Sequence, residues 1–227
     1  ATRPRGTSMP PARPRTSPGF IDRVLVTAEA YHIPGVIVFN KVDLYDDELM
    51  ADLQERIQIY EDAGYTSFET SAIRGDNLDR FKAVFKDKTT LLTGHSGVGK
   101  SALINAIEPG LDLKTRSISE VHRKGLHTTT FAEMFFLSFG GFIIDTPGIK
   151  AFGLTDFSRK EIAERFPEMR RYMHKCRFNN CTHVHEPGCA VKEALATGDI
   201  HESRYISYLS ILDDDYWEKV EKDFRQR

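Results

Sequence analysis

The sequence contains no apolar run near the ~20 residues that a membrane-spanning helix needs, and no signal-peptide-like apolar segment. It has only three cysteines, and an odd count without a secretion signal argues against a disulfide framework. The net charge is −2, so overall charge gives no general attraction to nucleic acid. These absences predict a soluble, cytoplasmic protein with no membrane association.

The few cysteines that are present cluster with a histidine in the pattern C-x4-C-x-H-x5-C. The four residues are Cys176, Cys181, His183 and Cys189. Three thiolates and one imidazole complete a tetrahedral shell, which is typical of one structural zinc ion. His174 and His185 are rival fourth ligands, iron is a rival metal for such thiolates, and three free thiols are the alternative without a metal.

A glycine-rich segment matches the phosphate-loop pattern G-x-x-x-x-G-K-[ST]. Its residues are Gly94, His95, Ser96, Gly97, Val98, Gly99, Lys100 and Ser101. A predicted strand at 88–93 precedes it and a predicted helix at 101–107 follows, so backbone N–H groups would surround phosphates. In this motif Lys100 reaches the β- and γ-phosphates, and the Ser101 hydroxyl coordinates Mg²⁺.

A tetrapeptide after the apolar strand predicted at 35–39 indicates which base is bound. Its residues are Asn40, Lys41, Val42 and Asp43. Guanine presents two adjacent N–H donors that one carboxylate accepts together, whereas adenine lacks this donor pair. Asp43 is therefore predicted to select guanine, with Asn40 on the other edge of the base and the Lys41 stem along it. Ser71-Ala72, after a predicted strand at 66–70, would supply a backbone contact to guanine O6.

The segment D-T-P-G follows the apolar strand predicted at 142–144. Asp145 at its start can hold the Mg²⁺ shell through water, and the N–H of Gly148 can contact the γ-phosphate. Such a contact would make the following segment a nucleotide-dependent switch. Ile149 stands where a Ras-type enzyme has the glutamine that orients the attacking water.

The segment G-L-H-T-T-T lies between the phosphate loop and D-T-P-G. It contains three consecutive threonines, Thr128, Thr129 and Thr130. One of them would complete the Mg²⁺ coordination when GTP is bound; Thr129 is predicted, and the other two stay open. His127 is hypothesised to position water in place of the missing glutamine, and the alternative is a solvent-exposed loop histidine.

Alternating elements predict an α/β fold. Helices are expected at 20–32, 46–63 and 76–85 between the strands, with a hairpin of 131–139 and 142–144 around Gly140-Gly141. This alternation predicts a mostly parallel sheet with helices on both faces. Further helices are expected at 158–165, 190–196 and 202–212.

Three regions are predicted along the chain. Residues 1–18 hold four Arg and no acid, and they are rich in proline, so they are expected to be disordered or trimmed. Residues 19–155 are predicted to form the GTPase domain, and residues 156–227 a helical zinc-binding domain.

The guanine motif precedes the phosphate loop, which is the reverse of the order in an ordinary small GTPase. A doubly wound domain can be permuted in this way when its original termini lie close together. With its motifs in this order, the chain from Phe20 to Leu212 resembles the circularly permuted GTPases of the RsgA (YjeQ/YloQ) family.

This resemblance implies a monomeric bacterial GTPase in late maturation of the small (30S) ribosomal subunit, stimulated by that subunit and binding its rRNA as well as GTP and GDP. It also implies that His127 is the switch histidine and that the Cys/His cluster binds zinc. Family members carry an OB-fold RNA-binding domain and one further strand before Phe20, and neither is visible in this sequence. A truncated N-terminus is therefore expected.

Two basic clusters are candidates for RNA contact, or else solvated surface. The first contains Arg116, His122, Arg123 and Lys124, and the second contains Arg170, Arg171, Lys175 and Arg177. Other functions remain open: a permuted GTPase of the large subunit, a GTP-dependent binding switch with incidental hydrolysis, or a P-loop ATPase or kinase. The zinc cluster argues against a large-subunit GTPase, and Asp43 argues against an ATPase or kinase. Ile149, in place of the glutamine, leaves the binding switch as an alternative.

Overall fold

The computed structural model describes residues 16–111, 133–145 and 159–213. The elements up to the phosphate loop and its helix are α1 (Pro18–Ala30), β1 (Val36–Phe39), α2 (Asp47–Ala63), β2 (Thr66–Glu69), α3 (Leu78–Phe85), β3 (Thr89–Leu92) and α4 (Lys100–Ile107). The later elements are β4 (Glu133–Phe136), β5 (Phe142–Asp145), α5 (Arg159–Glu164), α6 (Pro167–Met173), α7 (Ala190–Thr197) and α8 (Glu202–Leu212).

The described strands form two sheets. β1 pairs with β2, and β5 lies between β3 and β4 in a three-stranded sheet. β3 and β5 run parallel, with Leu92 opposite Asp145, while β4 and β5 form the predicted antiparallel hairpin. Parallel pairing together with the alternation of helices and strands confirms the predicted α/β class.

Contacts divide the described chain into two compact units that interleave in sequence. The first unit comprises residues 39–50, 69–111 and 133–145, and the second comprises residues 16–38, 51–68 and 159–213. Each unit therefore collects segments that are far apart in the chain. None of the helices described has the length and hydropathy that a membrane crossing requires.

The core of the first unit is formed by α3 and α4 with the three-stranded sheet. Phe81 and Phe85 are one helical turn apart and meet edge to face at 4.9 Å. Ile104 and Ile143 are fully buried. Burial of each such side chain contributes about 1.5–3 kcal/mol, which fixes the ends of β3 and α4 that flank the phosphate loop.

The second unit has its own apolar core, built from α1 and the C-terminal helices. The buried cluster comprises Val26, Ile162, Ala163, Phe166, Met169, Cys181, Cys189, Val191, Ala194, Ile200, Tyr208 and Ile211. Two of the predicted metal ligands, Cys181 and Cys189, thus belong to this core, so the Cys/His cluster is part of the packing of these helices.

A buried arginine joins three helices of the second unit. The Arg204 guanidinium on α8 donates from Nε to Glu168 Oε1 of α6 at 2.7 Å and from Nη1 to Asp22 of α1. It also lies 4.9 Å from the ring centroid of Phe166. Burial raises the pKa of Asp22 against the opposing effect of Arg204. Because one cation faces two carboxylates out of water, each partner depends on the others.

Two elements differ from the sequence-based expectation. Helix α6 was not predicted because its seven residues are too short to show helical periodicity; Pro167 occupies its first turn. Helix α1 begins at Pro18, where the Ser17 side chain accepts a hydrogen bond from the N–H of Phe20. This Ser-Pro start is an ordinary helix N-cap signal. It lies in part of the stretch predicted to be disordered.

Candidate nucleotide site and metal centre

The phosphate loop lies between β3 and α4 in the first unit. Gly94, Gly97 and Gly99 adopt φ angles of 152°, 82° and 96°, which favour glycine. Lys100 Nζ donates to the carbonyls of Gly94 at 2.7 Å and His95 at 3.0 Å. The lysine ammonium is therefore held against the loop, in the position from which this motif contacts phosphates.

The predicted guanine motif contacts the phosphate loop directly. Asn40 Nδ2 donates to the carbonyl of Val98 at 3.0 Å, and Lys41 Nζ donates to the carbonyl of Gly97 at 2.6 Å. Lys41 adopts a left-handed φ of 70°, which turns the chain sharply after β1. A Cβ on Gly99 would clash with the Asn40 amide, so only glycine permits this approach.

The Ser71-Ala72 turn after β2 meets the same motif. Ser71 Oγ donates to Asp43 Oδ1 at 2.6 Å, which fixes the orientation of that carboxylate. Thr70 bonds to the guanine motif at two points: its carbonyl accepts from the Val42 N–H at 3.3 Å, and its Oγ1 donates to Asn40 Oδ1 at 3.3 Å. Its own N–H donates to the carbonyl of Phe39, the last residue of β1, at 2.7 Å. The structure thus brings together the guanine motif, the Ser-Ala turn and the phosphate loop.

The predicted magnesium ligands are placed only in part. Ser101 lies in the first turn of α4, and Asp145 ends β5 in register with Leu92 of β3. Neighbouring strand ends thus place Asp145 beside the start of the phosphate loop. The other predicted residues around the γ-phosphate lie outside the described residues: His127, Thr128, Thr129, Thr130 and Gly148.

The four predicted zinc ligands converge in the second unit. Their ligand atoms all lie within 4.8 Å of one another. Cys176 Sγ is 4.0 Å from Cys189 Sγ, and His183 Nδ1 is 3.3 Å from Cys189 Sγ and 3.6 Å from Cys176 Sγ. A tetrahedral zinc with Zn–S bonds of about 2.3 Å requires S–S edges of about 3.8 Å, so these residues fit such an ion.

Burial disfavours the charged forms of three groups in the cluster. Burial raises the pKa of the Cys181 thiol to about 12 and also raises the pKa of Cys189. Burial lowers the pKa of His183, which keeps its imidazole neutral. A bound cation would reverse the penalty on the thiolates, because it supplies the charge that burial removes.

The rival ligands lie elsewhere. His174 is the C-cap of α6, and both it and His185 are exposed, outside the cluster. His183 contributes Nδ1 from a left-handed backbone with φ of 60°. Its other ring nitrogen, Nε2, is buried without a hydrogen-bond partner among the residues described.

The second basic cluster divides into two pairs. Arg170 donates to Glu29 of α1 at 3.2 Å, and Arg171 donates to the Asp62 carbonyl at the end of α2 at 2.9 Å. These two arginines therefore hold helices of the second unit together. Lys175 and Arg177 lie over the rings of Tyr172 and Phe178, respectively, and remain exposed. The first basic cluster lies outside the described residues.

Sequence reasoning missed several residues that build these sites. Thr70 was predicted only as the end of a strand, and no role in either site was predicted for Glu186. Residues 181–189, the metal loop, are bonded by Tyr205 and Tyr208, which recur on one face of α8. That i, i+3 spacing was visible in the sequence, but it is equally typical of a helix that packs into a core.

Comparisons with known proteins place these features in context. The model of the RsgA GTPase family matches residues 9–155. A protein of Bacteroides fragilis named small ribosomal subunit biogenesis GTPase RsgA is 52% identical over 201 residues, which cover 88% of this chain and 65% of that protein. A protein of the same name from Porphyromonas gingivalis is 50% identical over 214 residues, covering 93% of this chain and 68% of that protein. The chain spans less than two thirds of the Bacteroides relative's length.

Solved structures show the same fold. YjeQ from Thermotoga maritima superposes with a TM-score of 0.75 at 37% identity, covering 91% of this chain and 67% of that one. YloQ, described as a circularly permuted GTPase, gives a TM-score of 0.70 at 33% identity and covers 92% and 66%, respectively. The permuted order expected from the motifs therefore has a structural counterpart at substantial identity.

Proposed function

Because the chain belongs to the RsgA GTPase family, we propose that it hydrolyses GTP in late maturation of the small ribosomal subunit. The observation that carries this proposal is the joining of the guanine motif to the phosphate loop. Asn40 and Lys41 each donate to a carbonyl of that loop. The residues proposed to bind the base and those proposed to bind the phosphates are therefore held together by hydrogen bonds.

Each described residue of this assembly has a chemical role. Asp43, oriented by Ser71, accepts the two guanine donors, while Ala72 offers its N–H to guanine O6. Lys100 neutralises the phosphates from within the loop. In GTP hydrolysis the attacking group is water, not a side chain. The protein therefore contributes mainly by positioning the reactants and stabilising charge.

Magnesium is proposed as the cofactor of the reaction. When bound with GTP, Mg²⁺ would supply positive charge that offsets the negative charge developing on the phosphates. Ser101 is assigned to it directly, Asp145 through water, and Thr129 from the segment before D-T-P-G. His127 is proposed to orient the attacking water, and the N–H of Gly148 to contact the γ-phosphate.

Zinc is proposed as the ion of the second site, with a structural role. All four positions of a tetrahedral shell are supplied by protein, which leaves no open position for a reacting ligand. The proposed domain division places this site in residues 156–227, after a permuted GTPase domain at 19–155.

The proposed partner is the small subunit with its rRNA, bound by the chain as a monomer in the cytoplasm. The names of the Bacteroides and Porphyromonas relatives state this subunit. Near the metal site, exposed Lys175 and Arg177 adjoin the exposed ring of Phe178. Cations beside an exposed aromatic ring suit the phosphates and unstacked bases of RNA.

Base specificity tests the nucleotide assignment. Asp43→Asn should weaken GTP binding by about 10–100-fold, because an amide cannot accept both guanine donors. Xanthine carries an acceptor where guanine has its amino donor, so the variant should gain affinity for XTP. Fluorescent-nucleotide titration measures both. Exposed Asp79→Asn on α3 is the matched control, and equal GTP affinity in both variants would refute the assignment of Asp43.

Turnover with purified subunits tests the biological assignment. GTP hydrolysis should be slow for the protein alone, at roughly 10⁻⁴–10⁻² s⁻¹, and should rise strongly with small subunits but not with large ones. Stimulation by large subunits would redirect the proposal to the other particle. Tight GTP binding without stimulation by either would favour a GTP-dependent binding switch.

A further inference from the structure

The loop between the second cysteine and the third is organised around one carboxylate. Glu186 Oε1 accepts from the Thr182 N–H at 2.7 Å and from the Thr182 hydroxyl at 2.6 Å. Its Oε2 accepts from the N–H groups of Val184 at 3.1 Å and His185 at 3.2 Å. The four donors belong to residues on both sides of His183 in the chain, so Glu186 is bonded to the backbone before and after the proposed ligand.

The carbonyls of the same loop are held from the opposite direction. Tyr205 Oη donates to the His183 carbonyl and Tyr208 Oη donates to the Thr182 carbonyl, both at 2.6 Å. The two tyrosines stand one turn apart on α8. Carboxylate and hydroxyls together satisfy the polar backbone groups around His183, which buried or partly buried loops require.

These contacts explain an otherwise costly backbone. His183 has a φ of 60°, a left-handed conformation that is unfavourable for a residue with a Cβ. Such strain persists only where the surroundings enforce it. This conformation is the one that directs Nδ1 toward Cys176 and Cys189.

We propose that Glu186 is a positioning residue for the metal: it holds the loop so that His183 presents Nδ1 to the three cysteines. This inference rests on the proposed zinc site. The carboxylate touches no ligand atom and acts through the backbone on either side of the ligand. The sum of its hydrogen bonds also overcomes the effect of burial, which by itself would raise the pKa of Glu186, and lowers that pKa to about 2.

Equilibrium zinc affinity of the full chain, measured by chelator competition, tests the proposal. Glu186→Ala removes all four contacts and should weaken zinc binding about 10–100-fold, the usual range for a residue that orients a ligand. Glu186→Gln keeps one accepting oxygen but turns an NH₂ group toward the other donors, and should lose about tenfold. Thr182→Val removes one hydroxyl and should lose about threefold. This graded series keeps the test valid if Glu186→Ala fails to fold.

Cobalt substitution separates positioning from general stabilisation. Tetrahedral Co²⁺ absorbs in the visible range according to its ligands, so the Glu186→Gln spectrum should differ from that of the parent when His183 is misplaced. Glu193→Gln, on the exposed face of α7, is the control and should retain parental affinity and spectrum.

The outcomes distinguish the two proposals. A parent protein that binds neither zinc nor cobalt would refute the metal site itself. A parent that binds zinc, with Glu186 variants that melt earlier but keep its affinity and cobalt spectrum, would refute the positioning role alone.

Discussion

The phosphate loop and the metal loop solve opposite electrostatic problems with opposite sets of backbone partners. The carbonyls of the phosphate loop accept from two lysines, Lys100 of the loop itself and Lys41 of the guanine motif. In the metal loop, Glu186 accepts from backbone N–H groups. The lysines place positive charge where a phosphate is expected. The Glu186 carboxylate places negative charge beside the backbone of the proposed cation site.

This contrast lets one chain combine a proposed anion site and a proposed cation site without strong charge of either sign overall. Each loop carries its own counter-charge within a few residues, and the net charge of the chain is only −2. Each arrangement also includes a left-handed residue: Lys41 of the guanine motif, whose side chain reaches the phosphate loop, and His183, whose ring joins the Cys/His cluster. Side chains that hold the backbone therefore matter as much as the ligands.

Metal removal should have the largest effect, because it tests whether the metal loop depends on a cation. Replacing Cys189 by Ser, or stripping the ion with a chelator, should abolish cooperative unfolding of the second unit, because this cysteine also belongs to its core. Calorimetry with and without added zinc measures this. An unchanged transition would mean that the loop stands without a cation.

Lys100→Ala tests the anion side. Loss of the ammonium should weaken GTP binding about 100-fold or more, since removing one partner of a close charge pair costs about 2–5 kcal/mol. Zinc affinity should be unchanged, because Lys100 bonds to carbonyls of the phosphate loop in the first unit, whereas the Cys/His cluster belongs to the second. Exposed Lys86→Ala is the control, and fluorescent-GTP titration is the measurement. Equal affinities for the two variants would contradict the role of Lys100.

The buried Arg204 tests how far the metal loop depends on packing, because α8 carries both this arginine and the tyrosines that bond the loop. Arg204→Met should lower the free energy of unfolding by about 3–5 kcal/mol, since Asp22 and Glu168 lose their cation. Asp22→Asn should cost less, because Glu168 continues to pair with Arg204. Urea titrations measure both, and equal losses would show that Arg204 does not depend on two carboxylates.

The pH dependence of the Asp22→Asn variant follows from the same triad. Burial raises the folded-state pKa of Asp22, so the protonated form favours folding, and that contribution is lost as the pH rises through the raised pKa. The variant lacks this loss. Its deficit relative to the parent should therefore shrink between acidic and neutral pH, as followed by urea midpoints.

Thr70→Val should give the smallest effect. It removes the Oγ1 donor to Asn40 but keeps the side-chain shape and both backbone bonds. A loss of about 0.5–1.5 kcal/mol in GTP binding is expected for one neutral hydrogen bond. A loss as large as that of Lys100→Ala would show that the guanine motif, rather than the phosphates, sets the affinity.

The sequence predicted the parts of both sites whose chemistry is written in short motifs. The phosphate loop and the C-x4-C-x-H-x5-C cluster have fixed spacings because turns and ligand shells demand them. The fold class followed from alternating strands and helices. Helix α6 escaped prediction because its seven residues carry too little periodicity.

Long-range contacts were beyond prediction for a different reason. Nothing near Asp22 in the sequence indicates Arg204 as its partner, and an aspartate on a helix ordinarily faces water. Glu186 was invisible as a positioning residue because four donors converge on it only after the loop folds. Patterns report local geometry, whereas these roles arise from tertiary packing.

The ion pair between Asp22 and Arg204 spans 182 residues of chain, and this separation has a consequence during synthesis. At ribosomal rates of about 5–20 residues per second, Asp22 would leave the exit tunnel roughly 10–35 s before Arg204 does. Throughout that interval α1 lacks Arg204, and burial of the Asp22 carboxylate without this cation is unfavourable. The described core of the second unit is therefore completed only once α8 emerges, and a nascent chain arrested before α8 should remain sensitive to protease along α1.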